Sequence, residues 1–99
     1  MDDRGALVFD QEMSISRQEF LRVLPAAVAP DPFSVDGEQV RCQSTSRSWW
    51  IVLQALPDRR LARLRLPRLK VQIFLCGYSP PETDSFLARF DLYFRRGGG

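Results

Sequence analysis

The apolar positions of the chain follow two periods, one helical and one of strand type. Ala6-Leu7-Val8-Phe9 is a short apolar run that reads as an edge strand. Ser16 and Glu19 then have the spacing of a capping box, with Ile15 and Phe20 at the positions of a hydrophobic staple. From Arg17 onward, Phe20, Leu21, Leu24 and Val28 recur on one helical face. Pro25 lacks an N–H and is expected to end or kink this helix near Leu24. One more turn can follow before Pro30-Asp31-Pro32 stops it.

Phe33-Ser34-Val35 runs into Asp36-Gly37, a favoured two-residue hairpin turn, and Glu38 to Thr45 returns as a strand with Val40 and Cys42 on one face. Trp49 to Leu53 is aromatic and β-branched, the most strand-like segment of the chain. Pro57-Asp58 reads as a turn. Leu61 to Leu66 alternates, with Ala62, Leu64 and Leu66 against Arg63 and Arg65. Pro67-Arg68 is expected to break that run. Lys70 to Cys76 alternates again, with Val71, Ile73 and Leu75 against Lys70, Gln72 and Phe74. Ser79 and Glu82 make a second capping box around Pro80, which suits a first helical position. Phe86, Leu87, Phe90, Tyr93 and Phe94 form a helical stripe, and Gly97-Gly98-Gly99 closes it as a flexible tail.

The order is therefore (β)αββββα. An antiparallel β-meander with two amphipathic helices on one face gives an α+β two-layer sandwich in a single domain over residues 1–99. The other sheet face is then open to water. Strand alternation assigns Trp50, Arg63, Arg65, Lys70 and Gln72 to that face, with Phe74 among them.

Composition narrows the chemistry. The 99 residues include no histidine, so the commonest general base and the commonest metal ligand are missing. Cys42 and Cys76 are two thiols only, too few for a four-ligand zinc site, and reduced buried thiols are expected of both. The chain opens on Met1-Asp2-Asp3-Arg4 without a signal-peptide pattern, and no apolar run approaches the length of a membrane span. A cytoplasmic protein without a membrane partner is the expectation. Net charge is only +2, but residues 1–50 carry five basic and eight acidic side chains, and residues 51–99 carry nine and four. Six of those nine lie between Arg59 and Lys70.

That basic segment is the first candidate site. Arg63, Arg65 and Lys70, with Trp50 or Phe74 as a stacking surface, have the chemistry to bind a carboxylate or phosphate. Trp49 and Trp50 must point to opposite faces of a strand, so one of them stands outside the core. The carboxylates find plainer roles: Glu19 and Glu82 cap helices, Asp36 and Asp58 sit in turns, and Asp84 suits a helix start. No catalytic residue, metal ligand or cofactor motif is assigned. The expected function is a non-enzymatic protein-interaction module using an arginine-rich open sheet face. Its partner is another protein or an acidic ligand, and the chain itself is a monomer or homodimer.

Two resemblances bear on the alternatives. Arg95-Arg96-Gly97-Gly98-Gly99 resembles the end of ubiquitin-like modifiers and sulfur carriers. That resemblance implies activation of the terminal carboxylate, with Gly98 and Gly99 entering a narrow enzyme channel. The chain departs from the pattern in its third glycine and in the helical stripe that precedes the tail. The helix–meander–helix order also resembles double-stranded-RNA-binding domains in topology. Their last helix starts basic, whereas Pro80-Pro81-Glu82-Thr83-Asp84 is acidic and would repel phosphate, so RNA binding ranks third and a nucleic-acid partner is not expected.

Overall fold

The computed structural model describes residues 5–44 and 46–98, with side chains to residue 95. Thr45 and Gly99 lie outside the described residues. Five strands and two helices follow one another as β1 (Ala6–Met13), α1 (Arg17–Val28), β2 (Ser34–Asp36), β3 (Gln39–Gln43), β4 (Ser48–Leu61), β5 (Leu64–Cys76) and α2 (Pro80–Gly98). The strands form one antiparallel sheet in the order β1-β5-β4-β3-β2. The chain is thus an α+β sandwich in which β1 joins a β2-to-β5 meander at its β5 edge.

Alternation along the strands sends one set of side chains into the core: Val40 and Cys42 from β3, Trp49, Ile51 and Leu53 from β4, and Leu69, Val71, Ile73 and Leu75 from β5. Both helices lay their apolar stripes on this face. Phe20, Leu24 and Val28 of α1 meet Phe90 and Phe94 of α2 within the same buried cluster. The Phe20 ring stacks on Phe94 at 4.6 Å, and Phe9 of β1 meets Phe90 edge-on at 5.1 Å. Trp49 is 1% exposed, and its indole N–H donates to the Asp31 carboxylate at 3.0 Å.

Capping sets both helix starts. The Ser79–Glu82 box closes in both directions: Glu82 N–H donates to Ser79 Oγ at 3.3 Å, and Ser79 N–H donates to Glu82 Oε1 at 2.9 Å. At α1 only half of the box forms. Glu19 N–H donates to Ser16 Oγ at 3.1 Å, while the Glu19 carboxylate turns to Arg22.

Four expectations need correction. Pro25 does not end α1; it lies on the exposed side, where water can take the hydrogen bond its missing N–H leaves open. The β2–β3 turn is Gly37-Glu38, not Asp36-Gly37, because Gly37 takes the first central position with φ 61° and Asp36 still pairs with Gln39. α2 runs on through Gly98, where Gly97 was expected to end it. The largest correction concerns Pro57-Asp58 and Pro67-Arg68. Neither breaks a strand. Pro57 and Asp58 form a bulge inside β4, between the pairs Leu56–Arg68 and Arg59–Leu66. Pro67 lies opposite that bulge, where no ladder hydrogen bond asks for its N–H. The turn falls instead at Ala62-Arg63, with Ala62 at φ 56°.

The consequence is an arm. β3 pairs with β4 only as far as Val52, and β1 pairs with β5 only as far as Leu69. Residues 57–67 therefore have only each other as strand partners and project as a two-stranded ribbon about 15–20 Å long. The molecule is correspondingly elongated, 48 Å by 25 Å by 21 Å.

Candidate functional site

The arm and the sheet face divide the expected site between them. Trp50 and Phe74 are cross-strand partners on the outer face, with ring centroids 5.0 Å apart and planes within 9° of parallel. Both are half-buried. Leu7 extends their row on β1 and Arg41 extends it on β3. Lys70 shares this face, paired with Gln54 and Glu12 one strand-length away from Trp50. No described element covers the outer face, because both helices pack into the cluster on the other side.

Arg63 and Arg65 lie elsewhere. Arg63 occupies the turn at the tip of the arm. Arg65 follows the alternation of Leu69 and Val71, so it points to the side opposite Lys70. The expected grouping failed because it broke the chain at Pro67 and restarted the alternation. The unbroken β5 carries one phase from Leu64 to Cys76.

Pairing within the arm fixes which side chains share a side. Arg60 stands directly opposite Arg65. Leu61 stands opposite Leu64, and Arg59 opposite Leu66, on the other side of the ribbon. Two like charges directly opposed in a ladder destabilise it. Among the described residues, neither Arg60 nor Arg65 has a hydrogen-bond or ion-pair partner. Leu61 and Leu64 are 57% and 62% exposed.

The base of the arm is clamped by a sixth cation. Arg68 donates from Nε to Glu12 Oε2 at 2.7 Å and from Nη2 to Glu12 Oε1 at 3.0 Å, a bidentate pair joining β5 to β1. Its Nη1 reaches the Pro57 carbonyl of the bulge at 3.2 Å. The Arg68 guanidinium holds the Glu12 carboxyl below its ordinary range. Arg68 is therefore an anchor. Arg59 also acts on the Glu12 carboxylate, and among the described residues Arg60, Arg63 and Arg65 of the arm have no ion-pair partner.

A concavity of about 350 Å³ lies between the end of α1 and the start of α2. Its charged groups are already engaged. Arg47 pairs with Glu82 at 3.4 Å and sits over the Tyr78 ring at 4.8 Å, and Arg89 donates to the Ala26 carbonyl at 3.1 Å. Burial raises the Tyr78 hydroxyl above its usual pKa. Burial, and then Asp31, also raises the Cys42 thiol, which sits in the core. Cys76, on the outer face beside Ser48, is half-buried.

Among the described residues, no polar or charged side chain is buried, and no three His, Cys, Asp or Glu side chains are placed to hold a metal. No described helix is long and apolar enough to cross a membrane. Gly98 ends α2, and Gly99 lies outside the described residues. The sequence places Arg60 in the basic segment but does not show that it stands opposite Arg65, nor that Leu61 and Leu64 form an exposed pair. The one signal that could have found them is the bulge potential of Pro57-Asp58 facing Pro67. No protein-family model matches the chain, and comparison with curated proteins and with solved structures gives no match.

Proposed function

We propose that this chain is a non-enzymatic binding module for an anionic partner, with the β4–β5 arm as its contact element. The observation that carries this reading is the Arg60–Arg65 pair. The two arginines are cross-strand partners on an exposed ribbon, and among the described residues neither has a carboxylate within ion-pair distance. Such a pair costs folding free energy in the free protein, and a bound anion relieves it. The planar forks of two arginines suit the oxygens of a phosphate or carboxylate. Arg63 at the tip and Arg59 on the other side extend the same field. Retention of the chain on a phosphate-bearing matrix tests the reading. Elution is expected to move to markedly lower salt in an Arg60→Ala/Arg65→Ala variant. Elution of both proteins at the same salt would reject it.

The outer sheet face supports a second reading, self-association. The Leu7–Phe74–Trp50 row carries Arg41 at its β3 end, while Asp10 and Glu12 lie on the β1 side of the same face. A two-fold axis near β4 and β5 would lay the acidic side of one copy over Arg41 of the other. Sedimentation of the wild type against Trp50→Asp distinguishes this dimer from a monomer.

A further inference from the structure

The arm's shape and the distribution of its charges narrow the anionic partner. Resting on the reading of the arm as an anion-binding element, we infer that the ribbon of residues 57–67 enters the major groove of a B-form nucleic-acid duplex. Guanidinium groups are distributed around it: Arg60 and Arg65 on one side, Arg59 on the other, Arg63 at the turn. A flat anionic surface, whether membrane or protein, would be met by one charged side only. Phosphates along both walls of a groove meet charges on both sides. A two-stranded ribbon is also an element that the major groove, about 12 Å wide, admits.

The tip suits the floor of that groove. Leu61 and Leu64 flank the turn directly, on Arg59's side of the ribbon and largely exposed, and apolar side chains at the tip contact thymine methyl groups on the floor. The acidic start of α2, which argued against nucleic acid in the sequence, follows the far end of β5 from the arm. Nine residues of β5, Arg68 to Cys76, put roughly 30 Å of strand between the two. Of the two carboxylates at the arm's base, Glu12 is already engaged by Arg68, and Asp58 lies in the bulge, outside the Arg59–Arg65 stretch.

Anisotropy of a labelled mixed-sequence DNA duplex of about 20 base pairs, titrated with the full chain between about 50 and 200 mM salt, tests the inference. Four phosphate contacts give a slope of log affinity against log salt near −3.6, a loss of about a hundredfold across that range. Arg60→Ala/Arg65→Ala is expected to make the slope shallower by about two. Arg60→Lys/Arg65→Lys keeps the charges and is expected to retain the slope, which separates lost contacts from a damaged arm. Three results overturn the inference: no duplex binding, whether or not phosphatidylglycerol vesicles are bound; an unchanged slope in the alanine variant; or equal affinity for an RNA duplex, whose A-form major groove is too narrow. Retention on the phosphate matrix without duplex binding removes the groove and leaves the anion-binding reading standing. Loss of both removes both.

Discussion

The Arg60–Arg65 pair ties stability and binding together with opposite signs. Arg65→Glu converts a like-charge cross-strand pair into an opposite-charge pair. It is expected to stabilise the free protein by about 0.2–1 kcal/mol, read as a rise in Tm, while anion binding is lost. A fall in Tm would show that the two arginines do not strain the ladder. Ala62 is a second local cost, because φ 56° is disfavoured for a residue with a Cβ. Ala62→Gly is expected to gain about 1 kcal/mol in denaturant unfolding. Gly77, at φ 84°, has no such freedom in reverse: an added Cβ would collide with the Ser46 carbonyl oxygen, and Gly77→Ala is expected to destabilise. Glu12 sets a pH dependence. Its pKa is lowered in the fold, so its contribution is present above the ordinary carboxylate range and is lost as pH falls through it. Tm is expected to drop on acidification from about pH 5 to about pH 3, less steeply in Glu12→Gln.

Among the elements, the helices were the more legible in the sequence. Their caps, Ser16 and Ser79, are local, and their stripes contain rings that can meet only in one layer. The core energetics follow. Phe20→Ala, at a position with no exposure, is expected to cost about 3–5 kcal/mol by chemical denaturation. Strand existence and the inward phase of β3 and the later part of β5 were equally legible, since Val40 and Ile73 alternate with polar or aromatic neighbours. The ends of β4 and β5 were not. Proline and aspartate disfavour a strand interior locally, and only the pairing partner across the ladder turns them into a bulge. The site inherited that difficulty. Trp50, Phe74 and Lys70 were grouped correctly on one face, whereas Arg63 and Arg65 were assigned to it across a break that the chain does not make. Arg68 is expected to hold the arm's geometry. Arg68→Ala should speed amide exchange in residues 57–67 and leave the core amides protected.

For the whole molecule, the elongated shape and the charge asymmetry describe one feature. The body holds the aromatic core and a near balance of charges, and the arm is its basic pole, joined to the body by the Glu12–Arg68–Pro57 clamp. Two-stranded ribbons are marginal in water when isolated, so the arm depends on the clamp at its base and on the sheet from which it extends. The central claim is that the partner is met here, and not at the stacked Trp50–Phe74 pair. Backbone amide shifts of the full chain titrated with inorganic polyphosphate test that claim most directly. The account predicts saturable shifts concentrated between Asp58 and Leu66, with Trp50 and Phe74 unmoved. Shifts centred on Trp50, Phe74 and Arg41, or none in the arm at saturation, would contradict it.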